Sequence, residues 1–232
     1  MSGSPVILGL EAATGVSSVA LMHGGQVITR RHDHGRARTD ALLSLADELL
    51  AEAGVRRSAL DAVACGRGPG GFTGVRIGVG VAQGIAMGVG CPVVGLSTLQ
   101  ILAETARAAH PGRQAIAALL DARMGEVYAG CYRVDDAGWT TAVGAEWLAD
   151  PDTWALPTGD WLGVGSGFAR FPALAHRDGL VGCEAGMVPE MHCAMALAAA
   201  RFAAGEILRP EALEPRYLRD RVAHQTPVGG DG

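Results

Sequence analysis

The sequence predicts an α/β fold in which one β-rich unit occurs twice. Two observations indicate this. Apolar runs bounded by glycine turns alternate with helical patterns, in the order β-β-β-α-β-α-β-α, over the first half of the chain. A second hairpin then opens the other half, where the arrangement starts again. With 232 residues, 49% of them hydrophobic and 19% charged, the chain is long enough for a buried core and too apolar for intrinsic disorder.

Three strands joined by tight turns open the chain. Residues 5–12 form a short apolar run, and residues 16–23 form a second strand after a turn. Gly24 and Gly25 are a two-residue hairpin signal, so residues 26–31 continue as a third strand. These tight connections predict an antiparallel meander.

The rest of the chain alternates helices with strands. Leu42, Leu45 and Leu49 lie on one stripe of an amphipathic helix that ends at Gly54. In the first half the predicted elements are helices at 39–53, 73–89 and 98–109 and strands at 61–66 and 92–96. In the second half they are strands at 115–122, 126–134 and 161–164 and a helix at 191–205. The predicted division is an N-terminal half at 1–108, a smaller C-terminal half at 109–222 and a flexible tail at 223–232.

Composition excludes several classes of function. The 19 basic residues, all of them arginine, and the 24 acidic residues give a net charge of −5, which excludes a globally basic nucleic-acid coat. The lack of lysine removes the phosphate-loop, Schiff-base and protein-kinase lysines. The five cysteines are far apart and form no C-x-x-C motif, so we expect reduced thiols and a cytoplasmic location.

One apolar stretch is long enough to cross a membrane. Residues 77–103 carry no charge, but Pro92 interrupts the run and glycine recurs along it. The pattern therefore predicts a buried helix, a turn and a buried strand, with no membrane as a partner.

The glycine-rich turn at 66–74 has two interpretations. Successive glycines before a helix let backbone N–H groups converge on an anion, which predicts a phosphate cradle. The alternative is a tight strand-to-helix turn whose glycines serve the backbone geometry. Because the turn has no lysine, it is not a P-loop.

The helix predicted at 73–89 is apolar all round, and small residues line two of its faces. One face has Gly74, Gly78, Ala82 and Ala86, and another has Gly80, Gly84 and Gly88. An apolar helix of this kind is buried on both sides, so one side faces the sheet and the other a neighbouring helix or another subunit. The alternative is a core helix covered by its own chain. Each glycine costs roughly 1 kcal/mol of helix stability relative to alanine, and close packing must offset that cost.

Arginine is concentrated in residues 30–38, where it is a candidate for contact with RNA phosphates. A solvated loop leading into a helix is the alternative interpretation. No catalytic triad, acid pair or metal-ligand spacing is recognisable in the sequence. We therefore expect no catalytic residue and no metal site in this chain.

Five blocks of the sequence resemble, in the same order, those of the TsaB (YeaZ) family. They are ILGLEAATGVSSVAL at 7–21, GRGPGGFTGVRIGVGVAQGIA at 66–86, VVGLSTLQILA at 93–103, LLDARMGEVYAGCY at 119–132 and EPRYLR at 214–219. The resemblance implies the actin/Hsp70/sugar-kinase (ASKHA) fold, with two RNase H-like halves whose mixed β-sheets are flanked by helices.

The resemblance also implies a non-catalytic role in making threonylcarbamoyladenosine on tRNAs that read codons beginning with A. The chain would dock the catalytic paralogue TsaD, with the ATPase TsaE joining, and would form a homodimer when TsaD is absent. It would meet tRNA through the complex. It would bind no cofactor tightly by itself, and ATP and metal are expected in the partner subunits.

The family's partner surface lies on the first two helices, which implies a set of sites in this chain. The implied interface residues are Leu42, Leu45, Leu49, Gly74, Val75, Arg76, Gly78, Val79, Ala82, Gln83 and Ala86. Candidate contacts with a nucleotide phosphate at the subunit junction are Glu11, Thr14, Gly68 and Gly70, and candidate tRNA contacts are Arg30, Arg31, Arg36 and Arg38.

Departures from the family pattern bear on the chemistry. Glu11 stands where the family usually has Asp, and Gly71 where it often has Ser. The metal-binding histidines of the paralogue align with Thr98 and Leu102, which are poor ligands. Two other functions stay open: a stand-alone ATP-binding kinase or transferase of the same fold, and a glycoprotease-like protein.

Overall fold

A computed structural model of the chain describes residues 4–33 and 39–219. The first of its two sheets lies in the N-terminal half. The strands of this sheet are β1 (Ile7–Glu11), β2 (Val16–His23), β3 (Gln26–Asp33), β4 (Ala62–Gly66) and β5 (Val93–Leu96). They lie in the order β3-β2-β1-β4-β5. The first three are antiparallel, as their tight turns predict, and β4 and β5 continue the sheet in parallel with β1.

The second sheet repeats this plan. Its strands are β6 (Ala115–Arg123), β7 (Glu126–Val134), β8 (Thr140–Ala142), β9 (Trp147–Ala149), β10 (Trp161–Val164) and β11 (Leu180–Glu184). From one edge the order is β8-β7-β6-β10-β11, with β9 also paired to β7. An antiparallel meander again leads into two parallel strands. The sequence pattern does not predict β8, β9 and β11, because β8 and β9 have three residues each and β11 is only partly buried.

Helices cover the sheets, and the three long helices of the first half match the prediction to within a residue. The helices are α1 (Thr39–Glu52), α2 (Phe72–Val89), α3 (Thr98–Ala109), α4 (Ser166–Arg170) and α5 (Met191–Ala203). Gly90 ends α2 with a left-handed φ of 81°, which favours glycine. Ser97 caps the N-terminus of α3, and its hydroxyl accepts a hydrogen bond of 3.2 Å from the N–H of Leu99.

Two helices pack across the two halves. α3 follows β5 in sequence, yet Leu99, Leu102 and Ala106 pack on the second sheet. α5 follows the second sheet but covers the first, where Met191 and Met195 lie against β1. Side-chain packing therefore crosses the predicted division between residues 108 and 109 in both directions. The division itself stays a prediction.

By length and composition α2 could cross a bilayer. In this fold Val75, Val79 and Ala82 pack it against the first sheet, and it ends at Gly90 just before β5. The uncharged run at 77–103 therefore resolves into most of α2, a turn, β5 and the start of α3. The order of helix, turn and strand is as predicted, but one face of the helix is exposed and not buried.

Candidate functional site

A groove of about 910 Å³ lies between α1 and α2 on the surface of the first half. The exposed face of α2 contributes Gly80, Gly84 and Gly88, spaced four residues apart. The walls are mostly apolar, with Leu43, Leu50, Ile77, Ile85 and Val89 among the lining residues. The groove is therefore a mostly apolar surface on which α2 presents a row of glycines.

The described chain does not fill the space above these three glycines. A Cβ atom added at any of them would meet no atom within 4 Å outside its immediate helical surroundings. Exposed glycines in a helix cost roughly 1 kcal/mol each relative to alanine, or about 3 kcal/mol together. Because no contact in the described chain offsets that cost, the row is best suited to close approach by a helix from another molecule.

Most of the implied interface residues lie in the core and not in the groove, which corrects the residue-level assignment. The buried ones are Leu42, Leu49, Val75, Gly78, Val79, Ala82 and Ala86. The reason is the helical repeat: α2 has two stripes of small residues, and the stripe through Gly78, Ala82 and Ala86 faces the sheet. The stripe through Gly80, Gly84 and Gly88 faces outward. The sequence shows both stripes but does not show which of them is buried.

Four other implied interface residues have different surroundings. Gly74 is held against the backbone of Ala12, and Leu45 is half-buried against the core. Gln83 turns away from the groove, and its Nε2 donates to the carbonyls of Pro210 and Leu213 at 3.0 and 3.1 Å. Arg76 is exposed and lines one part of the groove.

The glycine-rich loop packs against its own chain. A Cβ atom at Gly70 or Gly74 would overlap the carbonyl oxygen of Ala13 or Ala12, and the N–H of Gly71 donates to Ala13 O at 2.6 Å. Close approach of two backbone segments thus explains these glycines, in agreement with the tight-turn interpretation.

Two implied phosphate contacts are held within the chain. Gly68 is buried with a φ of 97°, and its Cβ position would lie 2.9 Å from Arg216 O. Thr14 is half-buried, with its hydroxyl 3.4 Å from the N–H of Val16. Phosphate binding by this loop stays a prediction.

Glu11, the fourth candidate nucleotide contact, is fully buried at the end of β1. Its Oε1 accepts a hydrogen bond from the N–H of Ala13 at 2.5 Å, and its Oε2 accepts one from the hydroxyl of Thr98 at 2.9 Å. Burial raises its pKa to about 7. A side chain at Gly66 would overlap this carboxyl. Glu11 therefore joins β1 to α3 inside the protein, and the prediction that it contacts a ligand does not fit this burial.

The positions aligned with the paralogue's metal ligands are also internal. The hydroxyl of Thr98 bonds Glu11, and Leu102 lies in the core between α3 and the second sheet. Within residues 4–33 and 39–219, no group of three or more His, Cys, Asp or Glu side chains is placed to hold a metal ion.

The arginines predicted to contact RNA begin on β3. Arg30 forms an ion pair with Glu52, and Arg31 pairs with Asp33 and Glu190 at 3.0 and 2.6 Å. Each would have to exchange a carboxylate for a phosphate. Arg36 and Arg38 lie outside the described residues, as does the predicted tail at 223–232. RNA contact by this segment stays a prediction.

Comparison with known proteins shows which family this chain is similar to. A family model described as TsaD, tRNA N6-adenosine threonylcarbamoyltransferase, matches residues 32–157. The tRNA threonylcarbamoyladenosine biosynthesis protein TsaB of Escherichia coli (strain K12) is 36% identical over 222 residues, covering 94% of this chain and 96% of that protein. TsaB of Haemophilus influenzae is 32% identical and covers 93% of this chain and 94% of its own length.

A solved structure agrees with the sequence similarity. YeaZ from Pseudomonas aeruginosa superposes with a TM-score of 0.87 at 39% identity, covering 92% of this chain and 100% of that chain. This match confirms the predicted fold of two mixed sheets flanked by helices, of the ASKHA and RNase H-like type. Because the similarity extends over nearly the whole length of the relatives, the chain belongs to the TsaB (YeaZ) family.

Proposed function

We propose that the chain is the TsaB subunit of the machinery that makes threonylcarbamoyladenosine in tRNA, and that it docks the catalytic subunit TsaD in the α1–α2 groove. The names of its full-length relatives support the pathway. The exposed glycine row of α2 carries the docking proposal, because its cost in helix stability is unexplained within the described chain.

Catalysis in this proposal belongs to TsaD. The acidic residue at the end of β1, Glu11, is buried and bonded to its own chain, and Thr98 and Leu102 occupy the positions where the paralogue holds its metal. These placements favour a non-catalytic subunit over a stand-alone kinase, transferase or glycoprotease. ATP and metal would bind in the partner subunits.

The remaining partners follow from the same surface. Two copies of this chain would pair through the groove when TsaD is absent, and TsaD would displace one copy because both need the glycine row. TsaE and tRNA would join the assembled complex, in the cytoplasm. Size-exclusion chromatography of the chain with and without TsaD tests the exchange: a homodimer peak that persists beside excess TsaD would contradict it.

The decisive experiment places a large side chain in the groove. Gly84→Trp fills space that is open in the isolated chain, so the variant should fold normally but fail to bind purified TsaD in calorimetry. Gly112→Trp is the matched control, because Gly112 is also exposed with no atom near its Cβ position but lies outside the groove. In a reconstituted modification assay, only Gly84→Trp should lose activity. Wild-type affinity of Gly84→Trp for TsaD would refute docking in the groove.

A further inference from the structure

An exposed cluster of two aromatic rings and an arginine lies beside the groove. The guanidinium carbon of Arg76 is 3.2 Å from the ring centre of Phe72 and 5.0 Å from that of Tyr217. Phe72 is 53% exposed and Tyr217 is 45% exposed. Arg76 has no carboxylate partner among the residues described by the structure, and its guanidinium instead contacts the two ring faces through cation–π interactions.

Tyr217 reaches this position on a C-terminal strap, residues 208–219, that is fixed at several points. Leu208 exchanges backbone hydrogen bonds with Val93 of β5 at 2.8 and 2.9 Å. Gln83 of α2 binds two strap carbonyls, and the N–H of Arg216 donates to the carbonyl of Arg67 at 2.7 Å. The strap therefore holds the Tyr217 ring against α2 through contacts other than the ring itself.

The strap ends on the turn between β6 and β7. Arg219 pairs with Glu126 at 2.6 Å, and its Nη1 lies 2.6 Å from the sulfur of Met124. Arg123 and Met124 have left-handed φ values of 63° and 54°, which are uncommon outside glycine. Asp121 accepts a 2.8 Å hydrogen bond from the N–H of Arg123, which supports this conformation. Met124 is held there with 72% of its surface exposed.

We propose that Phe72, Arg76, Tyr217 and Met124 form a second contact patch for the protein partner of the groove. The partner would then bridge both halves of the chain across the strap, and one of its carboxylates would pair with Arg76. This inference rests on the proposed function. Arg76 makes the patch continuous with the groove, since it lines the groove and contacts both rings.

The composition of the patch favours a protein partner. Aromatic residues, methionine and arginine are enriched at the centres of protein interfaces, and exposed tyrosine and arginine often dominate binding. RNA binding depends on neutralising several phosphates with several cations. Among the four patch residues only Arg76 is a cation, and the other three are aromatic or apolar. The two arginines beside Met124, Arg123 and Arg219, are paired with the carboxylates of Asp121 and Glu126.

Calorimetry with purified TsaD tests the patch on the full chain. Tyr217→Ala and Met124→Ser should each weaken binding, Tyr217→Ala by on the order of tenfold or more, whereas Tyr217→Phe retains the ring and should bind nearly as wild type. Val181→Ala is the control, because Val181 is a 43%-exposed apolar residue on β11, outside the patch. Arg76→Gln should reduce the dependence of affinity on salt. Thermal melts confirm that each variant folds.

The outcomes separate this proposal from the docking groove. If Gly84→Trp abolishes TsaD binding while Tyr217→Ala and Met124→Ser bind as wild type, the patch is wrong and the groove stands. If neither Gly84→Trp nor the patch variants weaken binding, docking of TsaD in the groove fails together with the patch. If the patch variants keep full TsaD affinity but reduce capture of tRNA by the assembled complex, the patch binds RNA and the inference is overturned.

Discussion

Replacing the exposed glycines of α2 with alanine should stabilise the isolated chain. Gly80, Gly84 and Gly88 lie within a regular helix, and an added Cβ at each would meet no atom within 4 Å outside the neighbouring backbone of that helix. Alanine is favoured over glycine by roughly 1 kcal/mol per helical position, so the triple variant should gain about 3 kcal/mol. For a chain of this size each kcal/mol raises Tm by about 2–4 °C, which predicts a rise on the order of 6–12 °C.

The same three methyl groups should weaken TsaD binding, because they occupy the space that a docked helix needs. Differential scanning calorimetry measures the first effect, at low protein concentration so that self-association does not add to stability. Titration calorimetry with TsaD measures the second. Gly112→Ala, an exposed glycine outside the groove, is the control and should leave TsaD affinity unchanged. A triple variant that is more stable yet binds TsaD with unchanged affinity would refute the argument, and so would a variant that is less stable.

Three further predictions concern the interior. Burial raises the pKa of the Glu11 carboxyl from 4.5 to about 7, so the folded chain binds the carboxyl proton more tightly than the unfolded chain does. The contribution of Glu11 to the free energy of unfolding therefore falls by roughly 3 kcal/mol as pH rises from 4.5 to about 7. Glu11→Gln should remove this pH dependence, which urea denaturation of both proteins between pH 5 and pH 8 measures. If the free energies of unfolding of the two proteins change in parallel over that range, Glu11 is not the titrating group. Gly74→Ala, on the same helix as the exposed glycines, should destabilise the chain by about 1–3 kcal/mol in thermal melts because the new methyl group overlaps Ala12 O; a neutral result would mean the loop packs less closely. Gln83→Ala removes two hydrogen bonds to the strap, so amide exchange in residues 208–219 should become faster than in wild type, while unchanged exchange would show that Gln83 does not hold the strap.

Local patterns were enough to predict most elements of the first half. Tight turns such as Gly24-Gly25 required β1, β2 and β3 to be antiparallel, and Gly90 ended α2 within a residue of the prediction. These features depend on neighbouring residues, whose turn chemistry and hydrophobic spacing are visible in the sequence. The five family blocks predicted the fold, and full-length relatives then confirmed it.

The partner surface needed the tertiary structure. α2 carries two stripes of small residues, and only its position on the first sheet decides that Gly78 and Ala82 are covered while Gly80 and Gly84 remain open. The burial of Glu11 likewise depends on Thr98, which is 87 residues away in the chain.

The sequence by itself determined the long helices, the longer strands, their order and the family, because those are set by local periodicity and by motifs; the short elements β8, β9, β11 and α4 have too few residues or too little burial to show a pattern. It did not determine that α3 packs on the second sheet, that α5 covers the first, or that residues 208–219 cross between the halves. These placements depend on which sheet face remains open after the rest of the chain has packed. Such contacts form between segments that are far apart in the sequence, so no single segment determines them.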